Sequence, residues 1–433
     1  MQTGKKRTVA FHTLGCKLNF SESSEIGRQL EEEGYERISF GQQADISVIH
    51  TCSVTGSADK KTRQALRKAK QISPDGITVA MGCYAQLKSE DAEQFKDVDI
   101  VLGTSEKFDL PKYLADFNHG DKPIVQACQI DMEDSFFGAQ SIGERTRAFL
   151  KVQDGCDYSC SYCTIPKARG KSRNPKISDI VEQVQSLVAK GIPEIVLTGV
   201  NTGDFGKSTG ESFDHLLEEI DKIEGEHRFR ISSIEPNLIT EEIVLFIKDS
   251  THFTPHFHIP LQAGSDDVLR NMRRRYLRET FEQRVKFIRK TMPNASVGAD
   301  IIVGFPGETD DNFNDAVSFL SDLPLSYFHV FTYSERPGTP AAEMPEQVPN
   351  RIRDERSHIL HELSNEKKKW FYESQLGSER WLIPERNKTD QLHGFTENYV
   401  ETVVDTPRLP EHTRVKVLLE SINEQGKAIG KII

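Results

Sequence analysis

Three cysteines in one short loop constrain this chain more than any other feature of its 433 residues. They are Cys156, Cys160 and Cys163, so the spacing is Cys-x3-Cys-x2-Cys, and Tyr162 stands directly before the last of them. Thiolates this close in sequence are soft ligands that suit an iron–sulfur cluster. A cluster of four irons held by three thiolates keeps one iron open. The loop therefore predicts a [4Fe–4S] cluster that also binds a ligand from outside the protein.

Two other uses of cysteine compete with this interpretation. A structural zinc site closes with four ligands, often as two Cys-x2-Cys pairs, whereas no histidine or second close cysteine pair lies near this loop. Disulfides are typical of secreted chains, but the sequence has no apolar signal segment and an odd total of seven cysteines,. Zinc stays open as the alternative to iron, and we expect a reducing, cytoplasmic compartment.

Length and charge narrow the classes of function. The chain is long enough for two or three domains, and no run approaches the length of apolar sequence that a membrane-spanning helix needs. The net charge of −11 argues against non-specific nucleic-acid binding through the overall field, although local basic clusters exist near residues 167–176 and 273–278,. A charge cluster taken alone more often marks a solvated helix face.

The N-terminal segment alternates short apolar strands with amphipathic helices. Strands are predicted at residues 8–14, 46–50, 77–81 and 100–102, and helices at 21–33 and 57–72. This alternation indicates a doubly wound parallel sheet.

Three further cysteines each lie just beyond one of these strands. Cys16, Cys52 and Cys83 are 36 and 31 residues apart, and each falls in a turn. The carboxyl ends of parallel strands share one edge, which is where ligands bind, so we expect the three thiols to converge on a metal. The alternative is three unrelated buried thiols, since free cysteine is often a core residue. Cys128 has no such setting.

The rest of the chain predicts two more domains. Six strands at 148–152, 195–198, 229–234, 256–261, 297–303 and 327–332 are separated by helical stretches, which indicates a partial (β/α)6 barrel,. The cysteine loop follows the first of these strands, on the face where barrel enzymes carry their chemistry. Short strands after residue 371 predict a small all-β barrel of the kind that often binds nucleic acid. The expected domains are residues 1–133, 142–370 and 371–433.

Together these features resemble the methylthiotransferase branch of the radical S-adenosylmethionine (SAM) enzymes, over nearly the whole chain. The resemblance implies an N-terminal methylthiotransferase domain, a radical SAM barrel and a C-terminal TRAM domain, in this order. The motifs that carry it are Thr13-Leu14-Gly15-Cys16-Lys17-Leu18-Asn19, His50-Thr51-Cys52-Ser53-Val54-Thr55, Gly82-Cys83-Tyr84-Ala85-Gln86, Gln153-Asp154-Gly155-Cys156, Leu197-Thr198-Gly199-Val200-Asn201, Ser232-Ser233-Ile234-Glu235-Pro236, His258-Ile259-Pro260-Leu261-Gln262-Ala263-Gly264-Ser265 and Gly304-Phe305-Pro306-Gly307-Glu308-Thr309.

The family implies two [4Fe–4S] clusters and SAM as cofactors. Cys156, Cys160 and Cys163 would hold the cluster that cleaves SAM to a 5′-deoxyadenosyl radical. A radical is needed because the target, the C2–H bond of an adenine, offers no acidic handle to general bases. The other triad, Cys16, Cys52 and Cys83, would hold a second cluster whose open iron carries the sulfur to be inserted.

Within the family, the contexts of Cys16 and Cys52 and the run Arg336-Pro337-Gly338-Thr339 look most like members that modify N6-threonylcarbamoyladenosine at position 37 of tRNA. The expected partners are this tRNA, an electron donor such as flavodoxin or ferredoxin, and a sulfur source, with no membrane. Alternative substrates are isopentenyladenosine 37 and an aspartate of a ribosomal protein. A different class of alternative is a non-catalytic metal-binding protein that binds RNA.

The resemblance also suggests contacts to SAM and RNA. The residues expected at the SAM pocket are Tyr162, Gly199, Ser233, Glu235, Gln262 and Gly304. The basic residues expected to contact RNA are Arg169, Lys171, Arg173, Arg273, Arg274 and Arg275. Beyond the cluster ligands, no catalytic residue is predicted.

Overall fold

A six-stranded parallel sheet forms the N-terminal unit of the computed structural model, which describes residues 6–118, 120–130, 135–142, 146–385, 391–406, 409 and 413–433. The strand order is β2-β1-β3-β4-β5-β6, with β1 (Thr8–Thr13), β2 (Glu36–Ser39), β3 (Ile46–Thr51), β4 (Ile77–Gly82), β5 (Ile100–Leu102) and β6 (Ile124–Gln126). The helices are α1 (Lys17–Glu32), α2 (Gly56–Ile72), α3 (Cys83–Lys88) and α4 (Leu110–Asp116).

Both faces of this sheet are covered by helices. One apolar cluster joins the sheet to α1 and α4, and another joins it to α2. Strands β3 and β4 are buried along their whole length, as strands covered on both faces must be,. The prediction of a doubly wound parallel sheet is confirmed. The edge strands β2 and β6 were missed because they are short and partly exposed, so they lack the apolar run that marks a strand.

Six parallel strands form the central unit as two three-stranded sheets, β7-β8-β9 and β10-β11-β12. The strands are β7 (Ala148–Lys151), β8 (Glu194–Thr198), β9 (Arg228–Ile231), β10 (His256–His258), β11 (Ser296–Val303) and β12 (Tyr327–Thr332). The helices are α5 (Ile165–Arg169), α6 (Ile177–Ala189), α7 (Phe213–Asp221), α8 (Glu241–Asp249), α9 (Asp266–Asn271), α10 (Arg278–Thr291), α11 (Asp310–Asp322), α12 (Pro340–Glu343) and α13 (Asn350–Glu373). The predicted partial barrel is confirmed.

A closed five-stranded barrel in the order β13-β14-β15-β17-β16 follows α13. Its strands are β13 (Glu379–Pro384), β14 (Leu392–Thr396), β15 (Glu401–Val404), β16 (Val415–Ile422) and β17 (Ala428–Ile432), as the predicted small β-barrel requires. It is joined to the central unit by Arg228, whose guanidinium donates to the carbonyl oxygens of Trp381 at 3.0 Å and Phe395 at 3.1 Å. Among the described residues, none of the helices combines the length and the apolar character needed to cross a bilayer.

A buried group of charges, here called the Glu22 cluster, joins the N-terminal sheet to the central barrel. Glu22 of α1 contacts Lys107 at 2.7 Å, Lys151 of β7 at 2.8 Å and Arg169 of α5 at 3.0 Å. Asp154 completes the cluster, 2.6 Å from Lys151 and 2.9 Å from Arg169. These side chains are almost entirely buried, so each charge depends on its partners for the stabilisation that water would otherwise provide,.

Removing the central carboxylate should unfold the protein at lower denaturant concentration. We expect Glu22→Gln to reduce the free energy of unfolding by about 3–5 kcal/mol, because it leaves buried cations without their shared partner. The matched control is Glu25→Gln on the same helix, whose part-exposed pair with Arg28 should contribute about 0–1 kcal/mol,. Equal losses for the two variants, measured by denaturant unfolding, would contradict this account.

The Glu22 cluster also predicts how stability depends on pH. Burial opposes the charged form of Glu22, but Arg169, Lys107 and Lys151 more than compensate and hold the pKa of this carboxyl well below its ordinary value of 4.5. The carboxylate therefore stabilises the fold above pH 4.5, and this contribution is lost as the pH falls toward the folded-state pKa,. Below pH 4.5, the free energy of unfolding should therefore decrease more steeply with falling pH in the wild type than in Glu22→Gln.

Candidate functional site

The cysteine loop lies directly after β7, at the carboxyl end of the barrel strands. Hydrogen-bond donors surround its sulfurs. The backbone N–H groups of Tyr158 and Ile165 lie 3.4 Å from the Sγ atoms of Cys156 and Cys163, and Arg274 Nη1 lies 3.1 Å from Cys160 Sγ. Donors placed in this way stabilise sulfur in its anionic, metal-binding form.

The thiols of this loop are held close together in a poorly solvated place. Burial raises the pKa of Cys156 and of Cys163 to about 12, and each thiol raises the pKa of its neighbours further by electrostatic repulsion. Three thiolates so placed need a cation to neutralise them. The donor set therefore fits the [4Fe–4S] cluster that the spacing predicts.

The second cysteine triad is also brought together. Cys16, Cys52 and Cys83 follow β1, β3 and β4, which are neighbours in the sheet. Each thiol is close enough to influence the others: burial, with a smaller contribution from Cys83 and Cys16, raises the pKa of Cys52 to about 12. The three cysteines therefore lie at the ends of neighbouring strands, within electrostatic range of one another.

The backbone at Gly15 approaches a cysteine of this triad closely. Gly15 has φ of +96°, and a side chain there would reach within 2.8 Å of Cys52 Sγ. Only glycine therefore keeps the sulfur accessible. Asn19 fixes the loop by donating to the carbonyl oxygens of Leu14 at 2.8 Å and Thr51 at 3.1 Å. These residues fit a cluster held by three sulfurs.

A cavity of about 330 Å³ adjoins the first cysteine loop. Of the residues predicted for the SAM pocket, Tyr162, Glu235 and Gln262 line it. Their neighbours there include Asn201, Arg274 and Asp300, which the sequence did not indicate for this role. The Glu235 carboxylate is ion-paired with Arg274, and burial raises its pKa.

The other three predicted SAM residues are placed differently. The space beside the α-carbon of Gly199 is filled by Gln153, while the next residue, Val200, lines the cavity. Gly304 packs against Arg353, and its N–H donates to Glu308 at 2.6 Å, so it does not face the cavity as expected. Ser233 lines a second cavity instead.

This second cavity, of about 700 Å³, lies inside the barrel between all three units. Its wall includes Cys16 of the second triad, inward-facing positions of β9, β10 and β12, and residues of the C-terminal barrel. The two cavities meet at His258, Asp300 and His329, whose side-chain N and O atoms lie within 4.8 Å of one another. The cavity beside the cysteine loop and the cavity lined by Cys16 of the second triad therefore adjoin each other across these three side chains.

The basic residues predicted to contact RNA divide into two groups. Arg169 and Arg173 are buried, and Arg169 belongs to the Glu22 cluster; Arg274 is buried against Glu235 and Cys160. Their guanidinium groups are thus taken up inside the protein, which corrects the expectation that they face RNA. The other three lie on the surface around the cysteine loop and are here called the basic rim: Lys171, Arg273 and Arg275.

Three cations of the second cavity, Lys17, Arg147 and Arg230, were not predicted to have a function. The run Arg228-Phe229-Arg230 could have indicated Arg230. Side chains alternate along a strand, so the two arginines lie on the same face of an otherwise apolar strand,. Lys17 carried no such signal, because its direction depends on the packing of α1 against the barrel.

Two family models match the chain. The model described as Radical SAM superfamily matches residues 150–320, and the one described as Uncharacterized protein family UPF0004 matches residues 8–103. A protein of Bacillus subtilis named threonylcarbamoyladenosine tRNA methylthiotransferase MtaB is 40% identical over 92% of this chain and 90% of its own length. The protein of that name in Aquifex aeolicus is 40% identical over 91% of this chain and 95% of its own length.

More distant relatives agree with this assignment. A Clostridium tetani protein named tRNA-2-methylthio-N(6)-dimethylallyladenosine synthase is 32% identical over 91% of this chain and 89% of its own length. The solved structure of the radical SAM methyltransferase TsrM from Kitasatospora setae shares the fold, with a TM-score of 0.56 and 14% identity over 78% of this chain and 74% of that chain. The chain therefore belongs to the radical SAM methylthiotransferase family, whose chemistry uses a [4Fe–4S] cluster and SAM.

Proposed function

We propose that this protein inserts a methylthio group at C2 of N6-threonylcarbamoyladenosine 37 of tRNA. One structural observation carries the proposal: the first cysteine triad and Cys16 of the second line two adjoining cavities. Radical formation and sulfur insertion need two metal centres that reach the same base, and this arrangement provides places for both. The names of the 35–40% identical relatives support the choice of substrate.

We further propose that each triad holds one [4Fe–4S] cluster. When bound, the clusters and SAM supply radical generation at the first site and sulfur at the second. The protein residues have other tasks. Arg274 donates to Cys160 and pairs with Glu235, so it fixes the cysteine loop against the floor of the SAM cavity. The enclosing barrel excludes bulk water from the reacting atoms.

Two further partners belong to the proposal. An electron donor such as flavodoxin or ferredoxin would reduce the first cluster, and a sulfur source would supply the second. The tRNA would approach over the basic rim beside the cysteine loop, with adenosine 37 turned out of the anticodon loop, as single-stranded RNA allows. The base would then lie between the two triads.

Mass analysis of tRNA nucleosides tests the substrate. A strain that lacks this gene should lose the methylthio form of N6-threonylcarbamoyladenosine and recover it when the gene is restored. Loss of methylthio-dimethylallyladenosine instead, or of a modified ribosomal aspartate, would assign the protein to another substrate. Zinc in place of iron in the anaerobically prepared protein would favour a non-catalytic RNA-binding protein.

Single cysteine variants should separate the two proposed clusters. We expect Cys160→Ala to abolish SAM cleavage, because two thiolates do not retain the first cluster. Cys52→Ala should still cleave SAM but form no methylthiolated RNA. Each should contain about half the iron of the wild type, by the four-iron count of each cluster. Cys128→Ala is the matched control and should keep both activities; methylthiolated product from Cys52→Ala would remove the second site from the mechanism.

The basic rim should contribute to RNA affinity through phosphate contacts. Changing Lys171, Arg273 and Arg275 together to Ala should weaken tRNA binding and reduce the slope of log K against log salt by about 2. The control changes Lys190, Lys222 and Lys248, which are exposed at the C-terminal ends of α6, α7 and α8, at the far end of the barrel from the cysteine loop. Equal weakening by both triple variants would show that the rim has no special role.

A further inference from the structure

The second cavity contains more positive charge than its own carboxylates neutralise. Arg147, Arg228 and Arg230 share the buried carboxylate of Glu194, and Arg147 also pairs with Glu385. Lys17 adds a fourth cation, and its ammonium group has no hydrogen bond or ion pair within the described part of the chain. Of these groups, three cations (Lys17, Arg147 and Arg230) and one carboxylate (Glu385) line the cavity.

The guanidinium group of Arg230 has one hydrogen-bond donor without a partner among the described residues. Two of its nitrogens are within 3.1 Å of Glu194, but Nη1 is buried and has no hydrogen-bond partner among the described residues. An arginine that keeps a buried donor unpaired carries an energetic penalty of the kind that a ligand can relieve. Lys17 and Arg230 line the same cavity and lie within electrostatic range of each other.

An aromatic wall stands beside these cations. Tyr399 stacks on Phe395 with ring centroids 4.8 Å apart and lies 4.4 Å from the ring of His256, and all three line the cavity. Its backbone has φ of +67°, which is unfavourable for a bulky residue and is retained only where the surroundings enforce it,. Arg230 packs 5.0 Å from the centre of the Tyr399 ring, so the guanidinium is held in place with one donor free.

We infer that Lys17 and Arg230, supported by Arg147, form a binding site for the carboxylate of the substituent on N6 of the target adenine. This inference rests on the proposed function. C2 and the carbon that bears N6 both flank N1 of adenine, so a base whose C2 faces Cys16 places its N6 substituent in the same part of the barrel. The threonylcarbamoyl group ends in a carboxylate, whereas a dimethylallyl group is neutral. A neutral group would leave Lys17 and the Nη1 group of Arg230 without a partner,.

Two other anions could meet these cations, and the position of the site disfavours both. Under the proposed function, the carboxylate of SAM would lie in the first cavity, beside the cysteine loop. RNA phosphates follow a continuous surface, whereas Lys17 and Arg230 lie inside the barrel next to Cys16. RNAs that share every phosphate and differ only in the substituent carboxylate separate these two anions.

The test uses anticodon stem-loop RNAs that differ only at adenosine 37: the threonylcarbamoyl form, its carboxamide analogue and the unmodified base. The anaerobically loaded full-length protein should bind the carboxylate RNA about 10- to 100-fold more tightly than the carboxamide RNA, measured by fluorescence anisotropy without turnover. Lys17→Met should lose most of this preference while binding the carboxamide RNA within about twofold of wild type. Lys17→Arg should restore the preference, because any cation here attracts the carboxylate.

Two controls distinguish loss of the carboxylate site from general damage to the protein. Lys190→Met removes an exposed lysine remote from the cavity and should bind all three RNAs like wild type. Iron content of each variant reports whether the neighbouring triad is intact, and the comparison of RNAs on wild-type protein needs no variant at all. Equal binding of carboxylate and carboxamide RNAs by wild type, or equal weakening of all three RNAs by Lys17→Met, would overturn the inference.

Failure of the proposed function gives a different pattern. Methylthiolation of the carboxylate and carboxamide RNAs with the same KM would leave the proposed reaction intact and reject the carboxylate site. Methylthiolation of a dimethylallyl RNA alone would reject both.

Discussion

The burial of Glu22 among three cations is the interaction on which the relative position of the two cysteine triads depends. Glu22 belongs to the helix that starts directly after Cys16, while Lys151, Asp154 and Arg169 flank the loop of the other triad. Each partner is costly to bury alone, so the charges are stable only when the two units are docked in this relation. The ion pairs therefore contribute little net stability, but they fix the position of one triad relative to the other.

That constraint extends to the residues around each triad. Arg169 joins the Glu22 cluster to the second triad, since it is also within electrostatic range of Cys16 and Cys83. Arg274 does similar work at the first triad, where it contacts Cys160 and Glu235 together. The space between the triads is then closed by the C-terminal barrel, which contributes Phe395 and Tyr399 to the wall. All three units are needed to shape the site in which a base could be held.

Local sequence was sufficient to predict the buried strands of the N-terminal sheet and the cysteines at their ends, although not its edge strands β2 and β6. Parallel strands align their carboxyl ends, so the positions of Cys16, Cys52 and Cys83 follow from where β1, β3 and β4 stop. The sequence did not show which basic residues are buried and which are exposed. Arg169 and Lys171 are two residues apart, yet one is buried in an ion cluster and the other is exposed, because only the first meets α1. Charge alone does not tell a cation on the surface from one inside a tertiary contact.

The proposed reaction requires that both three-cysteine sites hold a cluster and open toward the barrel interior. Anomalous scattering from iron in crystals of the anaerobically loaded protein tests it most directly. The account predicts two separate iron clusters, one at Cys156, Cys160 and Cys163 and the other at Cys16, Cys52 and Cys83, each with an iron turned toward the barrel interior. A single iron cluster, or a second one that faces away from the barrel, would contradict it.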